Sequence, residues 1–292
     1  MPNPFLRYSL DERWPLILGR LREGMCIPFL GAGASLGSNA APGLPSGSDI
    51  ARRLAKGCDY PGSDHGDLLR VAQYFEFKHD PHEVRARVRR LLSVPGVNPG
   101  LVHRTIAALP ITCVLTTNFD DLMERAFREV GKEPVVAVYR RRQNAESIAE
   151  PSEEKPLVYK LHGSLEDLYS MVITEDDIVD FLACLMLNDP PLPKLIKAYF
   201  EHRSILFVGY GLKDWNVRVM LRAIRGHRTG AGPGLASFAI QKRPDDDRLA
   251  QEWEESVMFL QSRERLECYD MDAVDFATEL KRRYDAGEGR FE

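Results

Sequence analysis

The sequence predicts an α/β fold in which one parallel sheet is covered by helices on both faces. Short apolar runs alternate with helical patterns along the 292 residues, and several of these runs end abruptly in glycine or polar residues. Strands that are buried on both faces read as continuous apolar runs, as these do. The predicted fold is therefore a Rossmann-like sheet. Residues from about 58 to 110, which are rich in helical patterns, are predicted to form a helical insertion within a single domain spanning 1–292.

Apolar and β-branched runs predict strands at 25–30, 111–117, 134–138, 157–161, 171–174, 204–208, 237–241 and 265–268. Apolar residues at helical spacing predict helices at 48–57, 68–75, 98–109, 175–187, 192–202 and 214–224, with others following Asn118 and the last two strands. A further helix is predicted to begin after Asp80, where Pro81 takes the first helical position and Glu83 lies three residues after the cap. A glycine-rich loop is predicted at 226–234.

Composition excludes several classes of protein. The net charge of −4 disfavours a chain that grips nucleic-acid phosphates, so no direct nucleic-acid binding is expected. The five cysteines show no CxxC spacing, so we expect buried, reduced thiols and no metal site. Charged residues interrupt the first 21 positions, and no apolar run is long enough to span a membrane. A cytoplasmic protein is expected.

Four predicted strands end in unusual corners, and the carboxyl ends of parallel strands are where ligands bind. The corners are Gly31-Ala32-Gly33, Thr117-Asn118-Phe119-Asp120, His162-Gly163-Ser164 and Gly209-Tyr210-Gly211. The first corner would let the backbone approach a pyrophosphate, whose charge would be held by amides at a helix start. The usual dinucleotide fingerprint is incomplete, because Leu36 stands where a third glycine is required and a helix replaces the second strand. A plain dehydrogenase is therefore disfavoured.

Each corner also has a simpler explanation. A lone Gly-x-Gly is as often a plain turn as a phosphate site. Asn118 could be a helix N-cap, as could Asp120 or Asp121. His162 stands at a strand end beside a glycine and is better placed for chemistry. The remaining histidines, at positions 65, 79, 82, 103, 202 and 227, are predicted to be structural or solvent-facing.

Two further segments leave alternatives open. The basic run of Arg85, Arg87, Arg89 and Arg90 lies on a predicted helix and is either a solvated face or a contact surface for a protein or nucleic acid. Residues 181–187 are apolar nearly all round, which fits either the deep core or a subunit interface.

Taken in order, the corners resemble the NAD-binding core of the sirtuin family over roughly residues 25 to 270. The matching motifs are Gly31-Ala32-Gly33-Ala34-Ser35, Thr117-Asn118-Phe119-Asp120, His162-Gly163, Gly209-Tyr210-Gly211 and Ile240-Gln241. The ordered set is far more specific than any one of its members.

The resemblance is closer to the divergent prokaryotic sirtuin-like branch than to protein deacylases. The segments that resemble this branch are Thr116-Thr117-Asn118-Phe119-Asp120, Lys160-Leu161-His162-Gly163-Ser164, Ile173-Thr174-Glu175-Asp176-Asp177 and Val208-Gly209-Tyr210-Gly211-Leu212-Lys213-Asp214-Trp215-Asn216. The four zinc-binding cysteines of deacylases are absent from 165–174, and Ser46, Gly47 and Ser48 replace the triplet that lines the deacylase nicotinamide pocket. Gln241 stands where sirtuins carry a late asparagine. These departures disfavour deacylation.

The resemblance implies an NAD+ hydrolase that cleaves the nicotinamide–ribose bond in antiphage defence, with NAD as substrate and no metal. By this resemblance the catalytic residues are His162, Asn118 and Asp120. The NAD-binding residues are Gly31, Ala32, Gly33 and Ser35 at the phosphates, together with Thr117, and Gly209, Tyr210 and Gln241 near the adenosine half. The alternatives are an NAD-dependent protein deacylase and a non-catalytic module that binds NAD or ADP-ribose.

The resemblance also implies partners. A chain of this length has little room for its own sensor domain, so a protein partner such as a HerA-type ATPase or a short Argonaute is expected, as is a homo-oligomer.

Overall fold

Within the described residues, seven parallel strands form one sheet. The structure is a computed structural model that describes residues 8–37, 42–141, 143, 147–211, 219–223, 236–264 and 266–290. The strands are β1 (Cys26–Leu30), β2 (Cys113–Thr116), β3 (Val135–Val138), β4 (Leu157–Lys160), β5 (Ser204–Val208), β6 (Ser237–Ile240) and β7 (Leu266–Tyr269), in the spatial order β3-β4-β2-β1-β5-β6-β7. All neighbouring pairs are parallel, which confirms the predicted α/β fold.

Apart from α1, the helices of the described part lie close to the predicted positions. They are α1 (Leu10–Arg22), α2 (Gly47–Cys58), α3 (Leu68–Lys78), α4 (Pro81–Leu92), α5 (Leu101–Ala108), α6 (Leu122–Glu129), α7 (Glu175–Leu187), α8 (Lys194–His202), α9 (Asp247–Glu264) and α10 (Ala273–Asp285). Residues 219–223 are also helical, whereas 214–218 of that predicted helix and the predicted loop at 226–234 lie outside the described residues. None of the described helices is long and apolar enough to cross a bilayer.

Helix α1 was not predicted. Charged residues interrupt its apolar pattern, but Ser9 caps it in a capping box with Glu12, and its apolar side, including Trp14 and Leu18, is fully buried. The charges that obscured the pattern therefore lie on the outer side of an amphipathic helix.

Helices cover both faces of the sheet. Side chains of α1, α5, α6 and α10 form the core on one face, and side chains of α7, α8, 219–223 and α9 form the core on the other. The connection from β1 to β2 thus passes α5 on the first face, and the connection from β5 to β6 passes 219–223 on the second. The crevice between the neighbouring strands β1 and β5 is therefore the topological switch point, where α/β folds bind ligands.

A third core joins α2, α3 and α4 into a helical cluster, which also buries Met171 and Ile173. Helix α5 packs instead on the sheet, through Val102 and Ile106. The limits of the helical insertion, 58 and 110, remain a prediction.

The predicted strand at 171–174 is wrong. These residues are buried, as an apolar run should be, but their backbone pairs with loop and side-chain groups instead of a strand. Val172 donates its N–H to the His162 carbonyl (2.9 Å), and Ile173 donates its N–H to the Asp177 carboxylate (3.0 Å). Burial alone produced the strand-like pattern.

The two ambiguous segments have mixed environments. In the basic run, Arg85 is buried in ion pairs, whereas Arg89 and Arg90 are exposed. In helix α7, Phe181 is fully buried, while Met186 and Leu187 are 69% and 77% exposed in the single chain. All five cysteines are free thiols; four are buried, as expected, and Cys184 is half-buried.

Candidate active site

Two glycine corners meet at the switch point. Gly31, after β1, donates its N–H to the carbonyl of Val208 at the end of β5 (3.1 Å), and Gly33 donates to the carbonyl of Gly209 (2.7 Å). A Cβ atom on Gly31 would lie 2.6 Å from the Gly209 oxygen, and one on Gly33 would lie 2.8 Å from it. Gly209 itself has a φ of +67°. The close approach of two backbone segments therefore requires the glycines, whether or not a phosphate also binds there.

The first corner continues into a single 3-10 turn, Ala32–Ser35, and not directly into an α-helix. The next α-helix, α2, begins at Gly47 behind its own cap, Ser46. The backbone amides that were expected to hold a pyrophosphate at a helix start are thus limited to this short turn.

The side-chain amide of Asn118 is held in one orientation. Its nitrogen donates to the carbonyl of Gly31 (3.0 Å) and to the hydroxyl of Ser35 (3.1 Å), and its backbone N–H donates to Thr116 Oγ1 (2.9 Å). Among the described residues, none donates to its amide oxygen Oδ1. Asn118 is not a helix N-cap, because the cap of α6 is Asp121 and the N–H of Leu122 bonds to Asp120 Oδ1 (3.1 Å). The amide is thus anchored by its nitrogen, with its oxygen left to accept a hydrogen bond.

Ser35 joins Asn118 to Asp120. Its hydroxyl donates to Asp120 Oδ2 (3.0 Å) and accepts from Asn118, so the hydroxyl bridges the two side chains. His103 completes the group: Nδ1 accepts from the Gly100 N–H (3.3 Å), so Nε2 carries the proton and faces the Ser35 oxygen at 3.4 Å. Burial lowers the pKa of His103, with Asp120 acting in the opposite direction.

His103 was missed as part of the site. The sequence places it on a helix far from any strand end, and only the packing of α5 brings it beneath the first corner. The burial of His103 agrees with its prediction as a structural histidine. Its contact with Ser35, however, could not be predicted from the sequence.

His162 and Asn118 occupy corresponding positions at the carboxyl ends of two neighbouring strands. Strands β2 and β4 are neighbours in parallel register, with Thr116 opposite Lys160, so each residue stands two positions beyond its strand end. Neighbouring strands are about 4.8 Å apart. The Phe119 carbonyl also accepts the N–H of Leu165, which ties the two corners together (3.1 Å).

The imidazole of His162 is neutral, and its ring lies against an aromatic side chain. Its ring packs edge-to-face on Phe181 at a centroid distance of 4.8 Å. Burial, reinforced by the positive charge of Arg141, lowers the pKa of His162 to about 4, so the ring is neutral at pH 7. Among the described residues, none forms a hydrogen bond with either ring nitrogen. The turn that follows requires Gly163, whose φ is +97°.

A buried ion pair lies next to the corners that follow β2 and β4. Lys160, the last residue of β4, lies 2.8 Å from the carboxylate of Glu124, and both side chains are almost wholly buried. The ammonium also donates to the backbone carbonyl of Asp120. Burial raises the pKa of Glu124, and the Lys160 charge opposes that shift. Lys160 thereby links the end of β4 to the backbone of the Asn118 corner, a role that its place in the sequence motif did not reveal.

The remaining predicted residues lie on the same edge. Thr117 donates its N–H to the carbonyl of Leu30 (3.3 Å), next to the first corner. The ring of Tyr210 packs edge-on against Phe29 (5.3 Å), and Gln241 follows β6, where its N–H bonds to the carbonyl of Tyr269 (3.1 Å). The predicted residues therefore follow five consecutive strands: β4, β2, β1, β5 and β6.

A cleft of about 290 Å³ opens beside this edge. It is lined by Leu44, Phe119, Asp120 and the loop residues Ser164 to Glu166, among others, but by neither Asn118 nor His162. The described residues contain no group of three or more histidine, cysteine, aspartate or glutamate side chains placed to hold a metal ion.

Comparison with known proteins identifies relatives of this chain. The family model described as "SIR2-like domain" matches residues 112–260, about half of the chain. A protein of Cytobacillus dafuensis named "NAD(+) hydrolase ThsA" is 26% identical over 271 residues, which cover 92% of this chain and 52% of the relative. A protein of the same name from Acinetobacter baumannii (strain 532279) is 28% identical over 213 residues, 72% of this chain and 41% of the relative.

"Defense-associated sirtuin 2" of Bacillus subtilis is 29% identical over 127 residues, which cover 42% of this chain and 12% of that protein. The chain thus spans about half the length, or less, of the curated relatives described here.

Proposed function

This chain belongs to the SIR2-like domain family, and from that premise we propose that it hydrolyses NAD+ by cleaving the nicotinamide–ribose bond. The observation that carries the proposal is the parallel register of β2 and β4, which brings Asn118 and His162, each two residues past its strand end, to corresponding positions at the carboxyl ends of neighbouring strands. The names of the Cytobacillus and Acinetobacter relatives support the same activity.

In the proposed reaction, the bond between the nicotinamide nitrogen and the ribose C1′ breaks, and its electron pair neutralises the departing pyridinium. Water forms a new bond to C1′ and loses one proton, so that ADP-ribose, nicotinamide and a proton are the products. Asn118 Oδ1 holds the attacking water or the ribose hydroxyls, because its amide is fixed by Gly31 and Ser35. His162 accepts the proton of the water, a role that contributes about 10²–10⁴-fold in other enzymes.

Asp120 orders the site, and the remaining predicted residues serve binding. Asp120 holds the Asn118 amide through Ser35, and the Gly31–Gly33 corner with Thr117 lies where a pyrophosphate would sit. Gly209, Tyr210 and Gln241, on the far side of the switch point, contact the adenosine half. Ser35 has its hydroxyl engaged by Asn118 and Asp120, so its contribution to phosphate binding comes from its backbone N–H.

The test compares purified His162→Ala and Asn118→Ala with the unaltered protein by chromatography of NAD and its products. Both variants are expected to retain the unfolding temperature of the parent and to lose NAD hydrolysis. His82→Ala, an exposed histidine on α4, is the matched control and is expected to keep full activity. Normal turnover by His162→Ala would contradict the assignment.

We propose further that the activity serves antiphage defence under the control of a partner, such as a HerA-type ATPase or a short Argonaute, and in a homo-oligomer. The name of the Bacillus subtilis relative supports the defence role. The experiment incubates the protein with NAD alone, with its genomic neighbour, and with an acyl-lysine peptide, and identifies products by mass spectrometry. Release of nicotinamide only with the peptide would indicate a deacylase. Tight NAD binding without turnover in every mixture would indicate a binding module.

A further inference from the structure

Two consecutive arginines after β3 reach across to the segment that carries His162. Arg140 Nε donates to the carboxylate of Asp167 (2.8 Å), in the loop that follows His162. Arg141 donates to the backbone carbonyl of Asp177 (2.8 Å) and to its carboxylate (2.6 Å), at the start of α7. The segment from 162 to 177 is thus held at two points by neighbouring residues that the proposed chemistry does not use.

The Asp177 carboxylate joins three parts of the fold. It accepts from Arg85 of the helical cluster (3.0 and 2.9 Å), from Arg141 after β3, and from the backbone N–H of Ile173 in its own segment (3.0 Å). All three charged side chains are at most 14% exposed, so these contacts are poorly screened by solvent.

The same contacts reach the His162 ring. Asp177 and Phe181 are one turn apart on α7 and share a helix face, and Phe181 meets the imidazole edge-to-face at 4.8 Å. The His162 carbonyl in turn accepts the N–H of Val172, two residues after Ser170. Fixing Asp177 therefore fixes both the aromatic surface under the ring and the far end of its loop.

We propose that Arg141 is a positioning residue for His162, which sets the imidazole against Phe181 by anchoring Asp177 at the start of α7. The role of Arg141 in the reaction rests on the proposed NAD hydrolysis, whereas its effect on the position and pKa of the His162 ring does not.

The charges around the ring support a direct effect of Arg141. From the loop after β3, the guanidinium acts on His162 and helps burial to lower its pKa. On α7, Asp177 is the counter-ion, and Arg85 and Glu76 of the helical cluster pair with each other behind it (2.9 Å). On the β2 side, Asp120 is bonded to Ser35, and Lys160 of β4 is paired with Glu124.

The test that is independent of catalysis is a histidine NMR titration, in which the His162 signal is assigned by its absence from His162→Ala. In Arg141→Gln the titration midpoint is expected to rise from about 4 toward the ordinary value of about 6.5, staying below it because the ring remains buried. Arg140→Gln, which loosens the same loop through its pair with Asp167, is expected to leave the midpoint unchanged. An unchanged midpoint in Arg141→Gln, or an equal rise in Arg140→Gln, would overturn the proposal.

Kinetics provide the second measurement. Arg141→Gln is expected to lower kcat for NAD by about 10- to 100-fold with little change in KM, since misplacing a catalytic group affects the reaction more than binding. Arg141→Lys retains the charge, so the midpoint should stay near that of the parent. Its kcat should fall, because an ammonium lacks the planar fork that bonds both the backbone carbonyl and the carboxylate Oδ1 of Asp177. Arg90→Gln, an exposed arginine paired with Glu83, is the control and should behave like the parent.

Parental kcat in Arg141→Gln would overturn the positioning role. If the parent protein hydrolysed no NAD but the titration midpoint still rose in Arg141→Gln, only the proposed function would be refuted.

Discussion

Replacing Ser35 by alanine separates two roles that this residue could have. If Ser35 positions Asn118, the variant loses the acceptor of one Asn118 bond and the donor to Asp120. If Ser35 serves mainly as a phosphate ligand, the variant weakens NAD binding and little else. The residue is buried, so the first alternative also predicts a cost in stability.

The size of that cost follows from what each partner retains. Asn118 keeps its bond to the Gly31 carbonyl, and Asp120 keeps the N–H of Leu122. His103, however, is only 1% exposed, and its Nε2–H loses the oxygen that it faces. A buried donor without a partner costs about 1–3 kcal/mol. For domains of roughly this size, each kcal/mol lowers Tm by about 2–4 °C.

The assay pairs thermal unfolding with NAD hydrolysis. We expect Ser35→Ala to lower Tm as above and to reduce kcat by about 10-fold or more, because the Asn118 amide is less well fixed. Ser63→Ala, at an exposed bend, is the matched control and should change neither. A variant with parental Tm and kcat and a raised KM would refute the positioning argument and make Ser35 a phosphate ligand.

Three further predictions concern the same edge of the sheet. Lys160→Met leaves the Glu124 carboxylate buried without its cation, and we expect denaturant unfolding to show a loss of about 3–5 kcal/mol, largely recovered in the double variant Lys160→Met/Glu124→Leu. Gly209→Ala should lower Tm far more than Gly96→Ala: both have positive φ, which costs about 1–2 kcal/mol, but only at Gly209 would the new methyl group collide with backbone. Since the pKa of His162 is lowered to about 4, NAD hydrolysis should fall as pH drops through about 4, and the stability linked to this ring should decline between about 6.5 and about 4, where only the unfolded chain takes up the proton.

Specific outcomes would contradict each of these. Equal stability of Lys160→Met and the parent would mean that the ion pair contributes nothing to the edge. Similar Tm values for the two glycine variants would remove the argument from close approach. An acidic limb of the pH–rate profile near 6.5 would show that His162 is either solvated or not the proton acceptor.

The sequence predicted the strands well where burial and strand formation coincide. Strands β1, β2, β4 and β5 are buried along their whole lengths and appear in the sequence as apolar runs whose only polar residues stand at a strand end. The run at 171–174 has the same composition and burial, yet its N–H groups bond to His162 and Asp177. The local sequence pattern indicates that a segment is buried, but it does not indicate which groups form hydrogen bonds with its backbone.

The candidate site was predictable in part. The corners that follow β1, β2, β4 and β5 could be found because glycine and polar residues break apolar runs at the ends of strands. Their partners could not be found this way: His103 reaches Ser35 across 68 residues, and Arg85 reaches Asp177 across 92.

By itself the sequence determined most of the strands, their polar ends and the residue types available for chemistry, because those depend on burial and on local backbone conformation. The tertiary structure decided the order of the strands, the parallel register that makes Asn118 and His162 neighbours, and the side chains that hold them. Long-range pairing is set by the packing of helices on the sheet and by ion pairs between buried side chains. Neither produces a periodic pattern in the sequence.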